Sequence, residues 1–300
     1  MTTLQQLLDR ADALLARLEG VLPPPVAATD WDASTAFRWR KRGSTGRLEP
    51  VRHIAPIALD NLRNIDRQRA VIERNTAQFV AGRGANNVLL TGARGTGKSS
   101  LIKACLNAFA DRGLRLIEVD KSDLVDLPDI VALVADRPER FVLFCDDLSF
   151  EEGESSYKAL KVALDGSIAA QSDNVLIYAT SNRRHLMPEQ MKDNLATRHA
   201  SHTNAAGDVN VEIHPADAIE EKVSLSERFG LWVSFYPFRQ DEYLAVVDEW
   251  MRRYGCAEAD LAAARPDALR WALERGSRSG RVAHQFARDW SGRQSTPPSA

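Results

Sequence analysis

Apolar and polar positions between residues 87 and 237 form two kinds of segment that alternate along the chain. Helical periodicity occupies residues 99–111 and 155–170, and short apolar runs lie around them. Several runs are apolar on both faces, as in central strands that helices cover on each side. The pattern therefore predicts an α/β fold with a five-stranded parallel sheet. The five predicted strands are residues 88–90, 114–119, 141–145, 175–179 and 231–235.

The regions on either side of this pattern differ from it. An apolar stripe predicts an amphipathic helix over residues 3–19, for which docking on its own domain and binding a partner are equally good roles. Residues 26–52 look irregular, and three helical patterns follow Pro237. The predicted domains are an N-terminal helical arm with a basic linker, an α/β base domain, a small all-helical domain and a disordered tail. Their bounds are 1–52, 53–237, 238–291 and 292–300.

Composition narrows the class of protein. The chain has 300 residues, a formal net charge of -2 and a pI of about 6.3, so no overall basic field favours nucleic acid or an anionic membrane. Its three cysteines lie far apart, which argues against a disulfide framework or a zinc site. No apolar run approaches the roughly 20 residues that span a bilayer. Because the start also lacks the plan of a signal peptide, we expect a cytoplasmic protein without a membrane partner.

Residues 92–99, Gly-Ala-Arg-Gly-Thr-Gly-Lys-Ser, match the phosphate-binding motif GxxxxGK[ST] between a predicted strand and a predicted helix. Glycines let successive backbone N–H groups turn toward a phosphate, and the helix dipole adds to the attraction. We expect Lys98 to contact the β- and γ-phosphates of ATP and Ser99 to ligate Mg²⁺. The predicted nucleotide-binding residues here are Gly92, Ala93, Arg94, Gly95, Thr96, Gly97, Lys98, Ser99 and Ser100.

Two aspartates, Asp146 and Asp147, follow the apolar run at 141–145. A P-loop enzyme needs a carboxylate at the end of a neighbouring strand to hold Mg²⁺, partly through water, and Asp146 fits that role. Asp147 occupies the place where a second carboxylate would polarise the attacking water. Aspartate is one methylene shorter than the glutamate usual there, so Glu151 and Glu152 remain substitutes. Capping of the next element is the other interpretation of Asp147.

In combination, these motifs resemble those of AAA+ ATPases. Residues 60–290 resemble one uncharacterised prokaryotic AAA+ family, a domain of unknown function. The resemblance implies a helical lid after the α/β base, ATP and Mg²⁺ as ligands, and a homo-oligomer that can be a ring. The segments that carry the match besides the phosphate motif are residues 64–68, 85–90, 146–150, 178–184 and 228–230.

The resemblance assigns further site residues. Asn182 is similar to the first AAA+ sensor, which bridges the γ-phosphate and the attacking water. Arg228 is similar to the arginine finger that one subunit inserts into its neighbour's site, because a guanidinium fork pairs well with phosphate. Arg281 resembles the second sensor, with Arg278 as a competitor, and Ile65 resembles an adenine-pocket residue. A turn for Asn182, a salt bridge for Arg228 and core packing for Ile65 remain open.

Three weaker features concern partners and metals. Residues 120–124 contain no aromatic pore-loop residue, which argues against threading of a polypeptide. Residues 37–42, Phe-Arg-Trp-Arg-Lys-Arg, mix aromatic and basic side chains as nucleic-acid-binding segments do, although a solvated basic linker that packs Trp39 on the body is favoured. The long connection at 183–223 contains several histidines, for which a polar loop is favoured over a metal site.

The sequence thus predicts a Mg-dependent ATPase that couples hydrolysis to motion between base and lid, and so remodels or switches an unknown protein client. One alternative is an ATP-dependent switch or loader that hydrolyses slowly, with or without DNA or RNA. A P-loop kinase of small molecules is a third interpretation.

Overall fold

The computed structural model describes residues 6, 8, 10–14, 28–43, 45–151, 154–165, 172–183, 186, 225 and 227–294. The described part of the predicted N-terminal helix, residues 6, 8 and 10–14, is helical and exposed. Most of the connection at 183–223, with its histidines, and the tail from residue 295 lie outside the described residues, and so does Glu152.

A single seven-stranded sheet forms the centre of the described structure, with the strand order β2-β1-β4-β5-β6-β3-β7. The five strands that the sequence predicts are present and parallel to one another. The prediction of five strands in total is wrong, because a hairpin of two further strands extends the sheet beside β4. The strands are β1 (Ala36–Arg42), β2 (Thr45–Pro50), β3 (Val88–Gly92), β4 (Leu114–Glu118), β5 (Arg140–Cys145), β6 (Val175–Ser181) and β7 (Leu231–Phe235).

The hairpin occupies the segment predicted to be an irregular basic linker. β1 pairs parallel with β4 and antiparallel with β2. Phe37 and Trp39 point into the core with the alternation of a strand, while Arg38 and Arg40 pair with acids that follow or end β4. The cations concealed this alternation, because they are paired with neighbouring carboxylates rather than solvated. The linker interpretation is therefore corrected for residues 36–50.

Helices cover both faces of the sheet, as the apolar strands predicted. Leu90 packs with the helices at residues 66–80 and 98–109 and with the C-terminal helices, whereas the adjacent Leu89 packs with the helices at residues 127–134 and 155–165 and with the hairpin. The helices are α1 (Asp66–Val80), α2 (Lys98–Phe109), α3 (Leu127–Val134), α4 (Ser155–Asp165), α5 (Gln240–Arg253), α6 (Glu258–Glu274) and α7 (Gly280–Gln294).

The last three helices, α5 to α7, pack on one another after the final strand and form a C-terminal helical bundle. Its aromatic and aliphatic side chains, among them Tyr243, Val247 and Phe286, continue the core on the α1 and α2 face of the sheet. Helix α7 extends through residue 294, beyond the predicted start of the tail. None of the helices in the described ranges is both long and apolar enough to cross a bilayer.

Candidate nucleotide-binding site

The phosphate motif forms the connection between β3 and α2, and we name residues 92–99 the P-loop. Gly95 has a φ of 72°, in the left-handed region, and a Cβ there would lie 2.8 Å from the Cβ of Ser279. At Gly92, φ is 121° and a Cβ would lie 1.9 Å from the carbonyl oxygen of Phe235. Because side chains at these two positions would meet neighbouring atoms, only glycine allows this close packing of the loop.

Lys98 opens helix α2 and turns its side chain back onto the P-loop. Its ammonium donates to the carbonyl oxygens of Gly92 and Ala93, both at 2.7 Å, and to Oδ1 of Asn182 at 3.0 Å. Burial lowers the pKa of Lys98 to about 8, although the charges of Asp147 and Asp146 oppose the shift. At pH 7 the ammonium is therefore still mostly protonated, as binding of phosphate requires.

Ser99, Asp146 and Thr180 meet where the parallel strands end at one edge of the sheet. The Ser99 hydroxyl donates to Oδ1 of Asp146 at 2.7 Å, and the Thr180 hydroxyl donates to the same oxygen at 2.6 Å. A hydroxyl beside a carboxylate is an oxygen donor set that suits Mg²⁺, so the residues present fit this ion. Thr180 is not among the residues that the motifs predict, although it stands two positions before Asn182.

Asp147 and Asn182 follow the neighbouring strands β5 and β6. Asp147 has a φ of 52°, unusual for a residue with a side chain. Its Oδ1 accepts a hydrogen bond from the Asn182 amide, and its Oδ2 lies 3.8 Å from a guanidinium nitrogen of Arg94. Asn182 therefore links Lys98 to Asp147. Glu151 does not line the same cavity and lies 3.9 Å from Arg183, so of the two described acids Asp147 is the one at this site.

These side chains face a cavity of about 590 Å³, which we name the nucleotide cavity. It lies between the carboxyl ends of the strands and the C-terminal helical bundle, and the P-loop, Asp146, Asp147 and Asn182 line one part of it. Among the other lining residues, we select five and name them the apolar wall. They come from the segment before α1 and from α5 and α7. The residues of the apolar wall are Leu62, Ile65, Val246, Trp250 and His284.

The apolar wall includes an aromatic contact that no sequence motif indicated. The ring centroids of Trp250 and His284 are 4.3 Å apart, and Nε2 of His284 lies 2.8 Å from the Tyr254 hydroxyl. Burial lowers the pKa of His284, and the charge of Arg288 lowers it further. His284 is therefore mostly neutral at pH 7. A neutral aromatic surface of this kind suits the face of a purine base.

The two candidate second sensors occupy different places. Gly280, at the start of α7, donates its N–H to the carbonyl oxygen of Gly95 at 2.7 Å, and the following Arg281 lines the nucleotide cavity. Arg278 instead lines an adjoining cavity of about 900 Å³. Geometry thus favours Arg281 over Arg278 as the residue that faces a nucleotide.

Arg228 lies away from the nucleotide cavity of its own chain. Its guanidinium forms an ion pair with Asp165 at the end of α4, and the residue does not line the cavity. The structure therefore brings together Lys98, Ser99, Asp146, Asp147 and Asn182 at the P-loop but leaves Arg228 outside.

Comparison with known proteins identifies the family. Residues 32–294 match the family model described as "Protein of unknown function (DUF815)". No curated protein matches the sequence. Similar solved structures include the Thermotoga maritima RuvB Holliday junction branch migration motor, with 16% identity and a TM-score of 0.46. A RuvB variant with a single substitution has 17% identity and a TM-score of 0.49.

Both matches cover 78% of this chain, and the chain spans 64% of the length of those RuvB structures. The family match covers far more than half of the sequence, and it agrees with the prediction of an uncharacterised family. The chain belongs to the DUF815 family of proteins of unknown function.

Proposed function

We propose that this protein binds Mg-ATP in the nucleotide cavity and hydrolyses it as an AAA+ ATPase. One observation carries the proposal: Lys98, Ser99, Asp146, Asp147 and Asn182 come from three separate chain segments and meet at the P-loop beside one cavity. Each has the chemistry that hydrolysis of a phosphoanhydride needs, which supports the proposal.

The phosphates would lie along the P-loop. Lys98 exchanges its contacts with the two loop carbonyls and Asn182 for phosphate oxygens, and the backbone N–H groups and the N-terminus of α2 add positive potential. Ser99 and Asp146 would hold Mg²⁺. The ion, when bound, offsets the negative charge on the phosphate oxygens.

Asp147 and Asn182 would act on the attacking water. The water oxygen forms a bond to the γ-phosphorus while the bond from that phosphorus to the bridging oxygen breaks, and ADP leaves with the bond electrons. Asp147 accepts the water proton and passes it to solvent. The Asn182 amide, already in contact with Lys98 and Asp147, orients the water beside the γ-phosphate.

The base of the nucleotide would pack against the apolar wall, with Ile65 on the side of the α/β domain and Trp250 and His284 on the side of the bundle. Arg281 would reach the phosphates from α7. The bond from Gly280 to Gly95 joins the start of α7 to the P-loop, so a change at the phosphates acts directly on the bundle. This coupling supports residues 53–237 as a base, extended by the hairpin, and residues 238–291 as a lid.

Assembly would complete the site. We propose a homo-oligomer in which Arg228 of one subunit enters the nucleotide cavity of the next, since Arg228 lies outside the cavity of its own subunit. An arginine supplied in trans stabilises charge that develops on the transferring phosphoryl group. Motion between base and lid would then remodel or switch a client protein.

A slowly hydrolysing switch or loader is the second candidate. The observation in its favour is that Asn182 and Arg94 already contact the Asp147 carboxylate, while the shorter aspartate reduces its reach toward a water. Association with nucleic acid gains no support from the basic stretch, because Arg38, Arg40 and Lys41 are paired with acidic side chains.

Titration calorimetry with ATP and a phosphate-release assay test the proposal, with Lys98→Ala against the wild type. We expect wild type to bind Mg-ATP and release phosphate, and Lys98→Ala to lose both. Lys158→Ala is the matched control, because Lys158 is an exposed lysine on α4 that does not line the cavity. Wild-type protein that binds no nucleotide, or an unaffected Lys98→Ala variant, would contradict the proposal.

A further inference from the structure

Arg94 places a cation within the P-loop itself, at the opening of the nucleotide cavity. The backbone next to it is fixed, because Gly95 packs on Ser279 and accepts the N–H of Gly280. Its side chain, by contrast, is 76% exposed. Arg94 thus presents an exposed guanidinium from a backbone that neighbouring residues hold in place, directly beside the residues that would hold the phosphates.

The contacts of Arg94 and Lys98 differ in a way that matters for a ligand. All three ammonium protons of Lys98 have protein acceptors. Among the described residues, Arg94 forms an ion pair with Asp147, at 3.8 Å. An exposed pair at that distance contributes little to the stability of the protein. The planar guanidinium of Arg94 has five N–H donors, which can therefore bind phosphate oxygens.

The charges around the opening of the nucleotide cavity also favour binding of a phosphate by Arg94. Asp146 and Asp147 place two carboxylates beside the expected γ-phosphate position, so a bound triphosphate would face two like charges there. A cation at this point offsets the repulsion between the carboxylates and the γ-phosphate.

We propose that Arg94 binds the γ-phosphate of ATP within its own subunit and so distinguishes ATP from ADP. The inference rests on the proposed function and deepens it. Before ATP binds, Arg94 pairs with Asp147; afterwards its N–H donors pair with oxygens of the γ-phosphate. ADP lacks those oxygens, so it leaves the pair with Asp147 in place.

The role of Arg94 is distinct from that of Arg228. Arg94 acts in the subunit that holds the nucleotide and needs no neighbour, whereas Arg228 is proposed to act from another subunit. The chain would therefore distinguish ATP from ADP even when dilute, and a basal hydrolysis that depends on Arg94 would remain when the subunits separate.

The test compares two ligands by titration calorimetry in the presence of Mg²⁺: ADP, and ADP with beryllium fluoride, which mimics the γ-phosphate. The variants are Arg94→Ala and Arg94→Lys. Arg83→Ala serves as the control, because Arg83 is an exposed arginine just after α1 that lies outside the cavity. Thermal unfolding of each variant checks that the fold is retained.

We expect Arg94→Ala to bind ADP within about twofold of wild type and to bind ADP with beryllium fluoride about 10- to 100-fold more weakly, as for loss of hydrogen bonds to a charged group. Arg94→Lys should recover part of that loss, because it keeps the charge without the fork. Equal weakening of both ligands, or no weakening of either, would overturn the inference while wild type still binds. A wild type that binds neither ligand would instead remove the proposed function.

Discussion

The phosphate end and the base end of the nucleotide cavity are built in different ways. At the phosphate end, eight consecutive residues supply backbone groups, and glycines clamp the loop between β7 and α7. At the base end, the apolar wall combines side chains from three distant segments. The phosphate end depends on backbone geometry that leaves no space for an added side-chain atom. The base end depends on packing of side chains, which can adjust to a substitution. We therefore expect substitutions at the phosphate end to have larger effects on nucleotide binding and hydrolysis.

The largest expected effect comes from Gly95→Ala. The new Cβ would lie 2.8 Å from the Cβ of Ser279, and the alanine would have to adopt the left-handed backbone conformation of Gly95. We therefore expect ATP binding to be lost. Gly113→Ala is the matched control, because Gly113 has a φ of 90° with open space around its Cβ position. It should lower the free energy of unfolding by about 1–2 kcal/mol and leave ATP binding intact. Calorimetry and denaturant melts measure the two effects, and an unchanged ATP affinity in Gly95→Ala would refute the clamp.

Asp147 tests chemistry at the phosphate end separately from binding. We expect Asp147→Asn to reduce kcat by about 10²- to 10⁴-fold, the range for loss of a general base, with ATP affinity changed only a few-fold. Stopped-flow phosphate release and calorimetry separate the two quantities. Asp147→Glu should hydrolyse no faster than wild type. A much faster Asp147→Glu would instead favour the slowly hydrolysing switch.

Trp250 measures how far the base end contributes. Stacking of a base on an aromatic ring is worth about 1–3 kcal/mol, so Trp250→Ala should weaken ATP binding by roughly 5- to 150-fold. Inorganic tripolyphosphate has no base, and its affinity should stay unchanged. Leu273→Ala, an exposed position on α6 outside the nucleotide cavity, is the control. Equal weakening of ATP and tripolyphosphate would show that the substitution disturbs the P-loop rather than the base.

The smallest expected effect is the pH dependence of Lys98. Its pKa of about 8 without nucleotide means that the ammonium loses its proton as the pH rises above 8, and with it the charge that attracts phosphate. ATP affinity should therefore fall by about tenfold between pH 7 and pH 9, because each pH unit above the pKa reduces the protonated fraction about tenfold. Lys98→Arg keeps its charge and should show no such fall. A wild-type affinity that is constant to pH 9 would contradict the lowered pKa.

Most of the site residues that could be predicted from the sequence lie at the phosphate end of the nucleotide cavity. The P-loop, Asp146, Asp147 and Asn182 could be located because each stands in a short motif or directly after an apolar strand. Trp250 and His284 could not, because they lie in different helices and meet only through the packing of the bundle.

The hairpin shows a second limit of sequence reasoning. Its cations suggested a solvated linker, because their partners, Glu118 and Asp120, lie about 80 residues further along the chain. Trp39 occupies the space above Gly46, where a Cβ would lie 1.8 Å from its ring. Such pairings depend on which strands become neighbours, and local patterns carry no information about that.

A site shared between subunits is tested by the ATPase rate per subunit against protein concentration, for wild type, Lys98→Ala, Arg228→Ala and an equal mixture of the two variants. We expect a wild-type rate per subunit that rises with concentration, near loss of activity in Lys98→Ala, and a concentration-independent basal rate in Arg228→Ala. The mixture should regain activity, because Lys98→Ala subunits can supply Arg228 to the intact cavities of their neighbours. A rate that is independent of concentration, with Arg228→Ala fully active, would contradict a site completed by a second subunit.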